Sequence, residues 1–461
     1  MEFIDRQSEI ELLADHLNRP GAAMFVLYGR RRIGKTALLQ ELLGNHSGAA
    51  YHVGTRSTMS EELHRLSATL AQSWSKRFLQ VQPLTSSAAL LAFLESIEDT
   101  AVLALDEFPF LVESDPSLPG SLQASWDRAL SRGKLKLILC GSSVAVMEST
   151  FLEPRAPLFG RRTGQLRLGP LPTRELVQVF PYSPVELIEL AATFGGIPGY
   201  LQRLDPERKL TENLRRHVLR RGEPLYEEIP FLLREELREP RVYHAILSVV
   251  AGGARKFGEI SSKVGLDRAN LSRYLATLID LGFMEREVPA TIRHPEKSRK
   301  GLYRIQDPFL ATWFALVHPF RDQLERDPSN PVIDEQILPR FKDRLAQAVE
   351  PVIRELFLHP PLSELIPFSP DRSGRYWSPT AEFDLVFIDR ERHRCMIGEL
   401  KWSHRKISPS LLDDLRRRVA GESEFNGLEP VFALISREGF TRGRKLAADE
   451  RLVDLSSMDW R

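Results

Sequence analysis

The sequence predicts an α/β protein of several domains. Short apolar runs alternate with helical patterns up to residue 183, which is typical of a parallel sheet covered on both faces. From Pro184 the pattern becomes helical, and from Arg241 three short helices precede two strands. The end of the 461-residue chain mixes helices and strands again, which indicates a further α/β domain.

The composition fits such a protein and excludes other classes. Apolar residues make up 42% of the chain and charged residues 27%, with a net charge of +1, which excludes a disordered, collagen-like or uniformly basic chain. No apolar run approaches the ~18 residues of a membrane span, and the polar first residues do not resemble a signal peptide. Cys140 and Cys395 lie in apolar runs, which predicts buried thiols. We therefore expect a cytoplasmic protein with no membrane partner.

A glycine-rich loop follows the first candidate strand of the predicted domain 1–183. Residues 29–36 read GRRRIGKT and match G-x-x-x-x-G-K-[ST] between a strand and a helical run. Its backbone N–H groups and the next helix N-terminus favour phosphate. We expect Lys35 to reach the β- and γ-phosphates of ATP, and the Thr36 hydroxyl to bind Mg²⁺. The predicted nucleotide-binding residues of this loop are Gly29, Arg30, Arg31, Arg32, Ile33, Gly34, Lys35, Thr36 and Ala37.

Two carboxylates end the apolar strand Ala101–Leu105. Strand carboxyl ends form the ligand edge of such sheets, so Asp106 is predicted to hold Mg²⁺ and Glu107 to position or deprotonate the attacking water. A further strand, Leu135–Cys140, is followed by Gly-Ser-Ser. The Ser142 hydroxyl is a candidate contact for the γ-phosphate or the water, and a plain turn is the alternative.

A pair of arginines precedes the candidate strand Gln165–Leu168. Arg161 or Arg162 would act as a finger on the γ-phosphate of its own or a neighbouring subunit. The alternative is a solvated basic loop, and the sequence does not choose between the two arginines.

These motifs together resemble the archaeal-type ATPases of the AAA+ and STAND group. The resemblance rests on GRRRIGKT, ALDEFPFL, LILCGSS, PLFGRRT and FGGIPGYL, in that order. It implies a P-loop ATPase core with a helical lid over residues 184–240. In these relatives a Gly-x-Pro element of the lid touches the nucleotide, and it maps onto Gly196 and Pro198. The first residues, MEFIDRQSEIELL, resemble the family's entry segment near the base.

Residues 241–305 predict a winged helix. Lys256–Val264 and Asp267–Leu281 form a helix-turn-helix pattern, followed by two wing strands and a basic loop at 293–300. Such a helix enters the major groove of double-stranded DNA while the wing's cations meet phosphates. The alternative is a module for protein contacts or lid packing. The residues predicted to contact DNA are Arg268, Asn270 and Arg273.

A connector (306–340) leads to the last predicted domain, 341–461. Its strands Ala381–Ile388 and Cys395–Trp402 can pair as a hairpin that gathers one lysine and two carboxylates. Two carboxylates can hold Mg²⁺ or Mn²⁺, and a lysine beside them can orient water. The clustered residues are Asp384, Glu399 and Lys401.

This arrangement resembles the PD-(D/E)xK nuclease superfamily, and also the domain of unknown function that often ends archaeal-type ATPases. The resemblance implies a restriction-endonuclease-like α/β domain with Asp384, Glu399 and Lys401 in the core motif positions. Glu350 on the preceding helix resembles an acidic residue that some relatives add. The alternative is a surface hairpin with salt bridges.

Together the patterns predict an ATPase that hydrolyses ATP slowly and acts on DNA through the winged helix and the nuclease-like domain. A second interpretation is a nucleotide-switched regulatory ATPase without nuclease activity, which contacts a partner protein or associates with itself. A third is DNA loading like that of replication initiators, which do not need the Asp384–Glu399–Lys401 cluster.

Overall fold

The chain forms two units in the computed structural model, which describes residues 6–44, 46, 48–326, 331–443 and 445–459. The first unit holds the residues up to Pro170 together with Ile197–Gly199, and the second holds Leu171–Gly196 and the residues from Tyr200. The predicted five-part division stays a prediction. Residues 1–5 of the predicted entry segment lie outside the described residues. No described helix has both the length and the apolar character of a membrane span.

The first unit is built on a parallel sheet, as predicted. Its strands are β1 (Ala23–Tyr28), β2 (Ala49–Val53), β3 (Ala101–Asp106), β4 (Leu135–Gly141) and β5 (Gly164–Arg167). Among the described residues they lie in the order β2-β3-β4-β1-β5, and all of their pairings are parallel. Every residue of β1 and β4 is buried, which explains the apolar sequence of β1 and the apolar run Leu137–Cys140 of β4, whereas the buried Lys136 donates to the Gly21 carbonyl at 2.6 Å. Strand β2 escaped prediction because it lies at the sheet edge, where only two of its residues are buried.

The helices of the first unit alternate with these strands along the chain. They are α1 (Gln7–Asn18), α2 (Lys35–Gly44), α3 (Met59–Ser73), α4 (Phe78–Val81), α5 (Ser87–Glu95), α6 (Phe108–Ser114), α7 (Leu118–Arg128) and α8 (Val144–Phe151). Helix α2 begins directly after the glycine-rich loop, and α6 directly after Glu107. Because β1, β3 and β4 are neighbours, their carboxyl ends bring these loops to one edge.

The second unit begins with the predicted helical region. Its helices are α9 (Pro184–Phe194), α10 (Pro198–Leu201, shared with the first unit), α11 (Leu210–Asn213) and α12 (Pro224–Glu236). Ser183 caps α9, since its hydroxyl accepts from the Glu186 N–H and the Glu186 carboxylate accepts from the Ser183 N–H. The left-handed φ of 67° at Gly195 then ends the helix.

The winged helix is present where the sequence predicts it. Its elements are α13 (Pro240–Ala251), α14 (Phe257–Val264), α15 (Arg268–Asp280), β6 (Met284–Glu287) and β7 (Leu302–Ile305). Asp267 caps α15 by accepting the Asn270 N–H at 3.0 Å. Strands β6 and β7 pair antiparallel around the basic loop, which forms the wing.

Three helices lead into the second sheet: α16 (Pro308–Leu316), α17 (Arg321–Arg326) and α18 (Leu338–Leu356). The sheet and its helix comprise β8 (Arg372–Trp377), β9 (Glu382–Asp389), β10 (Arg394–Lys401), α19 (Leu411–Ala420), β11 (Glu429–Ser436) and β12 (Glu450–Asp454). Strands β8, β9 and β10 are antiparallel, and β10, β11 and β12 are parallel. The expected hairpin of β9 and β10 is therefore confirmed, and the predicted burial of Cys140 and Cys395 is also confirmed.

Candidate nucleotide site and C-terminal carboxylate cluster

The loop after β1 has the backbone of a phosphate cradle. Gly29 has a φ of 152°, and a Cβ there would lie 2.6 Å from the Leu168 carbonyl oxygen, so a larger residue does not fit. The Lys35 ammonium is almost buried and donates to the carbonyls of Gly29 at 2.8 Å and Arg30 at 3.0 Å. The lysine therefore lies against the loop that it would serve.

Thr36, in the first turn of α2, meets Asp106 at the end of β3. The Thr36 hydroxyl donates to Asp106 Oδ2 at 2.7 Å, and Asp106 is 1% exposed. A hydroxyl and a carboxylate so close form the hard oxygen pair that Mg²⁺ prefers. The residues present therefore fit a magnesium ion beside the loop.

Tyr51 joins this pair, which sequence reasoning missed. Its hydroxyl donates to the same Asp106 Oδ2 at 2.8 Å. Burial raises the pKa of Tyr51, and the Asp106 charge raises it further, so the phenol stays a proton donor. The signal was lost because Tyr51 lies on β2, the strand that the sequence pattern did not reveal.

Glu107 and Ser142 lie together at the ends of β3 and β4. The Ser142 hydroxyl donates to Glu107 Oε2 at 2.8 Å, and the Ser142 N–H donates to the same oxygen at 3.3 Å. Glu107 has a left-handed φ of 52°, which is uncommon outside glycine and typical of functional loops. Ser142 thus holds the carboxylate predicted to position water.

The two candidate arginine fingers contact their own neighbours. Arg161 pairs with Asp127 at 2.7 Å, and Arg162 donates to the Phe151 carbonyl at 2.7 Å. Neither of these bonding partners belongs to the nucleotide loop or to the Glu107–Ser142 pair. A finger role stays a prediction, and it requires these bonds to be exchanged.

The two residues of the Gly-x-Pro element, Gly196 and Pro198, have different neighbours. Pro198 Cγ lies 3.7 Å from the position of a Cβ on Gly34, and the Gly199 N–H donates to the Arg32 carbonyl at 3.0 Å. Gly196 instead packs against Leu171, where a Cβ would lie 1.9 Å from the carbonyl oxygen. Of the two predicted contacts, Pro198 is therefore the one that lies at the nucleotide loop.

The predicted DNA-contacting residues lie on the first two turns of α15. Arg268, Asn270 and Arg273 are all exposed. The Asn270 amide donates to Asp267 Oδ2 at 2.6 Å, and the Arg273 guanidinium lies 5.1 Å from the Tyr274 ring centroid. Two cations and an amide of α15 are thus exposed to solvent.

In the second sheet, Asp384, Glu399 and Lys401 lie at the end of the β9–β10 hairpin. Asp384 Oδ2 accepts the Leu400 N–H at 2.9 Å, and Glu399 forms ion pairs with Lys401 and with Arg418 of α19. Sequence reasoning missed Arg418, because its proximity depends on how α19 packs against the sheet. Glu399 thus carries two cations, Lys401 and Arg418, while Asp384 is bonded to the backbone of the neighbouring Leu400.

Glu350 lies near this cluster on α18. Its Oε2 is 3.6 Å from Arg375 Nε, and burial raises its pKa to about 7, opposed by Arg375 and supported by the Asp384 charge. Burial also raises the pKa of Asp384. Within the described part of the chain, no three His, Cys, Asp or Glu residues gather closely enough to hold a metal ion. A cation here would therefore depend on two carboxylates and water.

Comparison with known protein families matches three stretches of the chain. Residues 3–204 match an ATPase domain predominantly from Archaea, residues 244–287 match the IclR helix-turn-helix domain, and residues 313–410 match Archaea bacterial proteins of unknown function.

Similar proteins are known along most of the chain. The uncharacterized protein MJECL04 of Methanocaldococcus jannaschii is 30% identical over 443 residues, which cover 95% of this chain and 96% of the relative. The Walker-type ATPase PABY2304 of Pyrococcus abyssi has a TM-score of 0.50 and 21% identity, and covers 68% of this chain and 96% of its own. The ORC2 protein of Aeropyrum pernix, solved as ADPNP–ADP complexes, has a TM-score of 0.42 and 16% identity over 78% of this chain and 96% of its own. The likeness to PABY2304 shows a shared fold.

Proposed function

Because this chain belongs to the family of its full-length relative MJECL04, with an archaeal ATPase domain at residues 3–204, we propose that it binds and slowly hydrolyses Mg-ATP. One observation carries the proposal. The Thr36 hydroxyl lies 2.7 Å from Asp106 Oδ2, beside a glycine-rich loop and next to a Glu107 carboxylate held by Ser142.

Each residue has a separate task in this proposal. Lys35 exchanges its loop carbonyls for phosphate oxygens, while Thr36 and Asp106 hold Mg²⁺. When bound, Mg²⁺ neutralises charge on the β- and γ-phosphates. Glu107 accepts a hydrogen bond from the attacking water and orients it. Pro198 packs beside Gly34 of the nucleotide loop.

Two variants test the nucleotide site. Lys35→Ala removes the phosphate contact and abolishes binding of a fluorescent ATP analogue, whereas Lys134→Ala, at an exposed lysine of the same unit, leaves it unchanged. Glu107→Gln keeps the analogue bound and lowers phosphate release by about 10²- to 10⁴-fold. Unchanged turnover in Glu107→Gln would remove the assigned role of Glu107, and intact hydrolysis in Lys35→Ala would remove the site itself.

We also propose that the winged helix binds double-stranded DNA. The exposure of Arg268, Asn270 and Arg273 on α15 supports this, since arginine and asparagine are the side chains that pair with guanine and adenine edges. Reversing the charge of Arg268 and Arg273 is expected to weaken duplex binding. Unaltered affinity would favour a protein partner or self-association through this domain.

Metal-dependent DNA cleavage by a nuclease-like C-terminal domain is the second candidate function. It is supported by the meeting of Asp384, Glu399 and Lys401 at one hairpin end, after a helix that carries Glu350. The domain would hold a second Mg²⁺ or Mn²⁺ on the two carboxylates. Lys401 would orient water or stabilise charge in the transition state.

The ion pair between Arg418 and Glu399 provides an additional variant for the cleavage test. The wild type is incubated with linear, supercoiled and branched DNA in Mn²⁺ or Mg²⁺, with and without ATP. Cleavage lost in Asp384→Ala and Lys401→Ala would establish the nuclease, and Arg418→Gln would then lower the metal requirement by removing one of the two cations that pair with Glu399. The absence of cleavage in the wild type and in Arg418→Gln would favour the nucleotide-switched regulator.

A further inference from the structure

The wing loop, residues 288–301 between β6 and β7, lies against the turn of the β9–β10 hairpin. Arg390, in that turn, donates to the Thr291 carbonyl at 2.5 Å, and Arg372 of β8 donates to the Ile292 carbonyl. The Ala290 N–H donates to the Arg375 carbonyl of β8 at 2.8 Å. Three contacts thus join the start of the wing loop to the second sheet.

This start of the wing loop is buried. Ala290 is 4% exposed and belongs to the hydrophobic core of the second sheet, together with Tyr376 and Phe383, and Thr291 is also buried. The C-terminal domain therefore sets the position of the wing, because breaking this contact would open a packed core.

Both segments are basic. Residues 293–300 of the wing loop carry four arginines and lysines against one glutamate. The turn 389–394 carries three arginines against two carboxylates, while the whole chain has a net charge of +1. Arg392 is 64% exposed and Arg394 is 45% exposed. An open depression of about 520 Å³ lies between the segments, lined by Arg293, His294, Asp371, Arg372, Arg390 and Glu391.

The composition of the two segments favours phosphates over a protein partner. Neither 293–300 nor 389–394 contains a leucine, isoleucine, valine, methionine, phenylalanine, tyrosine or tryptophan. Protein interfaces depend on buried aromatic or apolar anchors, whereas DNA backbone contacts require only cations and hydrogen-bond donors.

We propose that the wing loop and the hairpin turn form one surface for the DNA backbone, the wing–hairpin surface, which extends the footprint of the winged helix onto the C-terminal domain. The proposal rests on DNA binding by the winged helix. Arg392 and Arg394 contact phosphates there, and Arg390 and Arg372 keep the two halves together. The cations of this surface are Arg293, Lys297, Arg299, Lys300, Arg392 and Arg394.

Arg392 and Arg394 suit a charge-reversal test because they are exposed and their own ion pairs are long. Arg392 lies 3.7 Å from Asp389, and Arg394 lies 3.6 Å from Glu429. The full-length protein carrying Arg392→Glu and Arg394→Glu is compared with a matched control. The control carries Arg417→Glu and Lys342→Glu, two exposed cations on α19 and α18.

Binding of a fluorescently labelled duplex of arbitrary sequence is measured by anisotropy over a series of salt concentrations. Loss of two phosphate contacts lowers the slope of log K against log salt by about 1.8 and weakens affinity at least about tenfold near 0.1 M salt. The control variant keeps the wild-type slope. Circular dichroism melting checks that both variants remain folded.

Three results would overturn the proposal, and they separate it from its premise. If the Arg392→Glu/Arg394→Glu variant (the hairpin variant) binds DNA with wild-type affinity while Arg268→Glu/Arg273→Glu loses affinity, the winged helix binds DNA and the wing–hairpin surface does not. An equal loss in the hairpin variant and the matched control indicates a general charge effect. Salt-independent or absent duplex binding by the wild type removes both the surface and the proposed DNA function.

Discussion

The hydrogen bond between Ser142 and Glu107 yields a quantitative prediction for ATP hydrolysis. Ser142→Ala removes the hydroxyl donor that lies 2.8 Å from Glu107 Oε2, and it leaves the longer 3.3 Å bond from the backbone N–H. A hydrogen bond to a charged group contributes about 1.5–3 kcal/mol. Because 1.4 kcal/mol corresponds to a factor of about ten in rate, we expect kcat to fall by about 10- to 100-fold.

The assay separates turnover from binding. Phosphate release at saturating Mg-ATP gives kcat, and anisotropy of a fluorescent ATP analogue gives the Kd, which we expect to stay within about twofold since Ser142 orients Glu107 and not the base or sugar. Ser143→Ala is the matched control, because Ser143 precedes α8 without a side-chain hydrogen bond to it.

Two results would refute this reasoning. An unchanged kcat in Ser142→Ala would mean that the backbone bond alone orients Glu107 or that Glu107 does not position water. An equal fall in Ser143→Ala would point to disturbance of the β4–α8 turn instead.

Three further predictions concern other parts of the chain. Tyr51→Phe removes a hydrogen bond to the metal-side aspartate, so half-saturating Mg²⁺ for hydrolysis should rise about fivefold; a fall would contradict this. The native pKa of Glu350, about 7, exceeds its ordinary 4.5, so the folded form binds more protons and stability falls by roughly 3 kcal/mol as pH rises between these values; Glu350→Gln should flatten the Tm profile there, and parallel profiles would refute it. Gly196→Ala places a Cβ against Leu171 and should lower Tm, whereas Gly120→Ala, in open space, should not.

The nucleotide site was predictable because its chemistry constrains short segments of sequence. A loop that wraps phosphate needs glycines at positive φ and a lysine at fixed spacing, and Gly29, Gly34 and Lys35 satisfy both. Parallel strands then deliver Asp106 and Ser142 to the same edge. The α/β class of both regions and the winged helix also followed from apolar patterns, although the sequence identified only β9 and β10 of the second sheet and missed β8, β11 and β12.

Contacts between distant segments could not be predicted. Tyr51 and Arg418 are common residue types in unremarkable positions, and they reach Asp106 and Glu399 only through strand pairing and helix packing. For the candidate finger residues Arg161 and Arg162, the sequence identifies the cations but not their partners. Their bonds to Asp127 and Phe151 depend on the folded chain.

The burial of Ala290 in the core of the second sheet has a consequence for dividing the chain. A fragment that stops at residue 305 would contain every helix and strand of the winged helix, yet it would expose Ala290 and Thr291 to water. The loop would lose the groups of β8 and of the hairpin turn that bond to its backbone. Because the core around Ala290 also contains residues of β10, α19 and β11, the smallest fragment that keeps the wing in place must extend at least through β11, and truncation between the two modules would remove the support of the wing.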